Sequence, residues 1–138
     1  YHFNTENSPL ISNTIHSIAI NNNAGKVYFA TDKGLCSFNN GIVSPNAEMT
    51  KDNVYAYPNP VKPDYTGKIN IVGLSFNADI KIVSTNGTLI NEGRSAGGSY
   101  SWDGCDLNGK KVASGIYMVE TATESGEKGI VCKIAIIR

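Results

Sequence analysis

The feature that most limits how this chain folds is its punctuation. Short runs of alternating apolar and polar residues recur along it, each stopped by Asn, Asp, Gly or Pro after about ten residues. Alternation with a period of two puts successive side chains on opposite faces of a strand, and Asn and Gly supply the positive φ of tight turns. Many Ile and Val, together with 14 Gly in 138 residues, favour short strands over long helices. An all-β fold is therefore expected.

Charge narrows the partners. Twelve acidic residues balance twelve basic ones, so no net field favours nucleic acid or an anionic membrane surface. No apolar run approaches the roughly 20 residues that span a bilayer, and no basic-then-apolar segment at the start reads as a signal peptide. The chain begins at Tyr1 without Met, so the expectation is a processed product or a piece of a longer protein, with any export signal upstream. Cys36, Cys105 and Cys132 are odd in number and lack CxxC spacing, which speaks against a zinc site and against a full disulfide framework. A Cys105–Cys132 bridge stays open. Cys36 and Cys132 alternate with strand residues and read as small buried apolar groups.

From Ile15 to Ser44 the runs are separated by NNNAG, DKG and NNG, the pattern of four strands joined by three tight turns. A lone meander of this size cannot bury both faces. The stretch SPLISNTIHSIAINNNAGKVYFATDKGLCSFNNG resembles the repeat of the two-component-regulator type of β-propeller. Leu10, Ser12, Asn13, Ile15, Ile18, Gly25, Thr31, Gly34, Leu35 and Phe38 stand at matching positions, and Tyr28 stands where that repeat usually carries Trp. The resemblance implies that residues 1–44 are the last blade, or part of it, of a propeller whose other blades lie elsewhere.

Residues 45–53 lack apolar periodicity and carry Pro45, so they read as a linker. VYAYPNP then stops at two prolines, which suits a leading edge strand. KINIVG, DIKIVS, TLINEG, SYSWDG, GIYMVETAT and KGIVCKIAII follow, and Asn86-Gly87 marks a hairpin. About seven strands at this spacing point to an immunoglobulin-like sandwich over residues 54–138. Alternation nominates Ile69, Ile71, Ile80, Ile82, Trp102, Ile116, Met118, Val131 and Ile134 for its core. The final KIAIIR reads as a strand that closes the sheet at a native C-terminus.

The ordered features YPNP, GKINI, IKIVSTNGTLI, GGSYSWDGCDLNGKKVASGIYMV and VCKIAII resemble the C-terminal sorting domain of Bacteroidetes type IX secretion substrates. The WDGxDxxGxxxxSGxY portion is also similar to the immunoglobulin-like domain of flagellar hook-capping proteins. A propeller of this repeat type followed by such a domain is similar to the PorZ-like proteins of the type IX attachment complex. The resemblance implies an exported protein at the cell surface, outer membrane or periplasm, recognised by translocon or attachment-complex proteins. It also allows lipopolysaccharide or a glycan as ligand of the absent propeller blades.

Residues 101–120, SWDGCDLNGKKVASGIYMVE, gather Asp103, Asp106 and Asn108 among three glycines, as an oxygen-ligand metal loop or a catalytic carboxylate pair does. An EF-hand-type loop counted from Asp103 meets Cys105 and Leu107 at ligand positions and Ser114 at the twelfth; counted from Asp106 it meets Lys110. Neither count works. The structural reading is a sandwich corner built from Trp102, Asp103, Gly104, Asp106, Gly109, Gly115 and Tyr117, with carboxylates bonding backbone amides just ahead. His16 shares parity with Ile18 and Ile20 and reads as a half-buried histidine. GxSxG and GxxxxGK[ST] are both absent. Tyr55, Tyr57, Tyr65, Tyr100 and Tyr117 raise a carbohydrate platform, against which their wide separation and strand parity favour core and edge packing.

The sequence therefore points to a noncatalytic sorting and attachment module without a cofactor or metal. The sorting-domain resemblance implies a recognition signal near the C-terminus, and edge strands offer unpaired amides, so docking is expected along the last strand, at Gly129, Ile130, Val131, Lys133, Ile134 and Ile136. Two alternatives stand beside it. One is a sensor-region fragment of a propeller-type hybrid two-component system; the other is the accessory tail of a secreted carbohydrate-active enzyme.

Overall fold

Ten strands and no helix form from the alternating runs among the described residues, which are 2–21, 25–39 and 43–138 of the computed structural model. They divide into two compact units, Tyr1–Val43 and Ser44–Arg138.

In the first unit β1 (Ile15–Asn21), β2 (Lys26–Thr31) and β3 (Gly34–Asn39) pair antiparallel in the order β1-β2-β3. The DKG turn is held by Thr31, whose Oγ1 donates to Gly34 O at 2.8 Å and accepts from Lys33 N at 3.2 Å. Ahead of β1, Asn4 Oδ1 accepts from the amides of Glu6 and Asn7 at 2.9 and 3.0 Å, the local competition with regular structure that Asn side chains provide. A fourth strand was expected after the NNG turn. Residues 40–42 lie outside the described residues, and Val43 and Ser44 carry no strand. The NNNAG turn likewise falls mostly outside them. His16 sits at a register shift in the β1–β2 pairing and is exposed, like all of β1, rather than half-buried.

The second unit is the expected sandwich. β4 (Tyr55–Tyr57), β5 (Ile69–Val72) and β8 (Ser99–Trp102) form one sheet in the order β4-β5-β8. β6 (Asp79–Ser84), β7 (Leu89–Arg94), β9 (Gly115–Ala122) and β10 (Lys128–Ile136) form the other, in the order β10-β9-β6-β7. Between them Ile69, Ile71, Leu74, Ile80, Ile82, Trp102, Val119 and Ile134 are fully buried. Each such side chain contributes on the order of 1.5–3 kcal/mol. The Asn86-Gly87 hairpin closes β6 and β7, with Ser84 N donating to Thr88 O at 2.9 Å.

The stretch read as a linker belongs to this unit. Met49 is buried in the sandwich core, and Asn46 N donates to Leu74 O at 2.9 Å. Gly73, at φ 83°, lies so close to Asn53 O that a Cβ there would collide with it. A non-glycine residue would push this segment off the sheet.

Three core candidates face outward. Ile116 is 44% exposed, Val131 is 55% exposed and Met118 is only half-buried, while Tyr117, Val119 and Ile134 point inward. Residues 116–119 are Ile, Tyr, Met and Val, apolar on both faces, so alternation alone does not choose between them. Contact with Trp102 decides: its ring meets Tyr117 edge-on at 5.8 Å. In β10 a register shift between Lys128 and Val131 sets the phase that turns Val131 out and Ile134 in. Thr121 Oγ1 stitches that shift, donating to Ile130 O at 2.9 Å and accepting from Ile130 N at 2.8 Å.

The three cysteines are free thiols, so the Cys105–Cys132 bridge is not formed. Cys36 and Cys132 are half-buried rather than fully buried. Cys132 packs against the core, and burial pushes its thiol up to about 11.

Candidate functional site: the edge of the last strand

β10 lies at one side of the four-stranded sheet, so one of its edges is turned away from β9. Cys132, Ile134 and Ile136 stand opposite Val119, Tyr117 and Gly115. In an antiparallel ladder the backbone groups of alternate residues point outward, and on β10 these are Val131, Lys133 and Ala135. Ala135 bears this out, because its outward carbonyl accepts from Val61 N at 2.8 Å. A parallel bridge joins Val61 to Ile136, and Ile137 N donates to Val61 O at 2.9 Å.

Asn59 occupies the next stretch of the same edge. Its Nδ2 donates to Lys133 O at 2.8 Å, and its Oδ1 accepts from Ala135 N at 2.9 Å. The side-chain amide thus supplies one donor and one acceptor with the spacing of a peptide group. The peptide bonds Tyr57-Pro58 and Asn59-Pro60 on either side are both cis. In the sequence Asn59 reads only as a residue held extended by Pro60, without a role for its side chain; the signal was an amide side chain between two prolines, beside residues expected to form an edge.

The residues nominated for docking separate into two sets. Ile134 and Ile136 are buried and Ile130 packs against the core, so their side chains belong to the sandwich. Val131 and Lys133 are exposed. Gly129 is closed in: a Cβ there would meet Met49 Cε at 2.7 Å and would collide with Thr121 Oγ1.

The nominated corner is a closed hydrogen-bonded turn. Trp102 Nε1 donates to Cys105 O at 2.7 Å, and Asp103 Oδ1 accepts from Cys105 N at 2.9 Å. Asp106 Oδ1 accepts from both Asn108 N and Lys110 N at 2.9 Å. Gly104 and Gly109 take φ of 73° and 77°, and Val112 N returns to Gly104 O at 3.0 Å. One oxygen of each carboxylate is thereby committed to the backbone. Gly115 opens β9, and Tyr117 Oη donates to Ala113 O at 3.0 Å.

Among the tyrosines that raise a carbohydrate platform, Tyr55 and Tyr57 lie together on one face of their strand, as a spacing of two residues requires. Their rings lie 6.2 Å apart on the edge strand β4, both exposed, opposite Val72 and Asn70 of β5. Burial, then the neighbouring Tyr55 and Tyr65 hydroxyls, raise the Tyr57 phenol. Tyr100 lies elsewhere, bonded to Asn91 Oδ1 at 2.6 Å; Tyr117 is in the core. No group of metal-ligating side chains assembles among the described residues, and no helix there is long and apolar enough to cross a membrane.

Comparison with known proteins agrees with this architecture. The chain superposes along its whole length on PorZ of Porphyromonas gingivalis, described as an essential bacterial surface component of the type-IX secretion system, with TM-score 0.61 and 37% identity. It spans 18% of that chain. Dimeric latent PorU of the same organism is 18% identical over 81% of this chain and 12% of its own, at TM-score 0.46, too remote to add to the argument. No curated protein sequence matches the chain. Residues 55–136, from the first residue of β4 to the last of β10, match the secretion system C-terminal sorting domain. The chain therefore belongs to the C-terminal sorting domain family of type IX secretion, and its resemblance to PorZ runs through both units.

Proposed function

We propose that the sandwich is a sorting and attachment module that docks onto type IX translocon or attachment-complex proteins through the outer edge of β10, holding its protein at the cell surface. The observation that carries this reading is the state of that edge. The family match ends on β10, and β10 is the strand that presents the unpaired N–H and C=O of Val131 and the unpaired N–H of Lys133. Unpaired edge amides recognise extended segments of other proteins, so docking needs no catalytic group.

The first unit fits the last blade of a β-propeller in this reading. Ile18, Ile20 and Leu35 are more than half exposed, and an apolar cleft of about 430 Å³ opens between Phe3, Leu10, Ile15, Phe29 and Phe38. A neighbouring blade of the same protein covers such surfaces in a complete propeller. A lipopolysaccharide or glycan ligand belongs to that propeller rather than to the sandwich.

The test is a transplant. Residues 44–138 are fused behind a periplasmic reporter in a type IX-secreting Bacteroidetes cell, and surface-exposed reporter is measured by protease accessibility. Surface display is expected. A reporter that stays in the periplasm while the fusion remains intact overturns the sorting reading.

A further inference from the structure

The edge of β10 is part occupied and part open, and both parts are defined by this chain. Asn59 and Val61 satisfy four successive outward groups: Lys133 O, Ala135 N, Ala135 O and Ile137 N. Val61 does so with its main chain. One ladder step earlier, where the main chain of residue 59 would pair, the Asn59 side chain stands in for it. Upstream of Lys133 O, the next outward groups are Lys133 N–H and the C=O and N–H of Val131, and none has a partner among the described residues. Beyond them Gly129 is shut off by Met49 and Thr121. The open stretch is thus a window bounded at one end by Asn59 and at the other by Met49, on a strand that also packs beside β4.

We infer that this window receives an extended segment of a partner protein by strand addition, and that Asn59 sets where the added segment stops. The inference rests on the sorting reading above and narrows its docking surface from the whole last strand to Val131 and Lys133. Extended backbone is the occupant because the same edge, immediately downstream, already holds extended backbone in the form of Val61 and its amide surrogate. The vacant groups, two donors and one acceptor, are those the main chain of such a segment pairs with. The Val131 side chain stands outward beside the window, with Glu120 across the ladder on β9, so a side chain of the added segment meets an apolar contact flanked by charge.

Proline provides the test, since it deletes an N–H and is tolerated where that N–H faces away from the sheet. Val131→Pro and Lys133→Pro each remove one window donor and keep the bonds that Cys132, Ile134 and Ile136 make to β9. Val131→Ala keeps the donor and trims the side chain. Surface display of the full-length protein in its native cell, with thermal unfolding as the folding control, is expected to fall about tenfold in either proline variant and to change little in Val131→Ala. Proline variants that fold and display like the parent overturn strand addition at the window. A reporter fusion that also fails to reach the surface overturns the sorting reading instead, so the two failures are distinct. Should the prolines unfold the sandwich, amide exchange in the parent protein decides. Val131 and Lys133 exchanging about tenfold faster than Ala135 and Ile137 supports the window, and equal protection overturns it.

Discussion

In the second unit Ile69, Ile71, Ile80, Ile82 and Ile134 are at most 2% exposed, whereas in the first Ile18, Ile20 and Leu35 are 55%, 65% and 69% exposed. Both regions are antiparallel sheets made from short alternating strands, with similar turn chemistry. What separates them is a second layer. Four strands facing three shield one another's inner side chains, while a single three-stranded sheet leaves both of its faces to be covered from outside. Alternation suffices to make a strand, but a core requires a facing sheet. Edges differ in the same way at β10, where a strand closed downstream by its own chain stays open at Val131 and at the Lys133 N–H.

The comparison breaks most sharply if the units are separated. Residues 44–138 expressed alone are expected to unfold cooperatively at the temperature of the parent sandwich, whereas residues 1–43 alone, close to the ~40-residue limit for unaided folding, are expected to show no cooperative transition. A folded, melting fragment 1–43 would erase the distinction. Next in size is a pair of truncations. Trp102→Ala empties the most voluminous fully buried site and is expected to cost about 3–5 kcal/mol in denaturant unfolding, while Leu35→Ser on the exposed sheet changes stability by within about 0.5 kcal/mol.

Asn59→Ala comes third. It removes two hydrogen bonds from the β10 edge, for an expected loss of about 1–2 kcal/mol, and it accelerates amide exchange at Ala135 but not at Ile137. A uniform acceleration along β10 would mean that Asn59 supports the whole strand rather than one stretch of edge. The smallest effect concerns Cys132, whose burial favours the neutral thiol and raises its titration from 9.0 to about 11. Stability from that preference is complete below about pH 9 and is lost as pH rises to about 11. The unfolding midpoint is therefore expected to fall across that window in the parent more than in Cys132→Ala.

Much of the fold was legible because turn chemistry is local. Asn86-Gly87, the glycines around Asp106 and the prolines after Tyr57 each fix a chain reversal or a strand end from a few adjacent residues, and seven sandwich strands followed from them. The carboxylates of Asp103 and Asp106 were likewise readable as turn-formers, since their amide partners lie two to four residues away. The candidate site was readable only in outline. The last strand was named, but Ile134 and Ile136 were grouped with Val131 and Lys133 although they point the other way.

The sequence by itself determined the all-β class, the run of strands and the family, because period and punctuation act over fewer than about ten residues. Tertiary structure decided which face of β9 and β10 is inside, because strands apolar on both faces take their phase from the neighbour they pack against and from a bulge stitched by Thr121. It also decided that residues 45–53 pack onto the sandwich through Met49 and Gly73. The Asn59 contact with β10 bridges 74 and 76 residues of chain, a span over which no local pattern carries information. Only a folded sheet edge gives that side-chain amide a ladder to join.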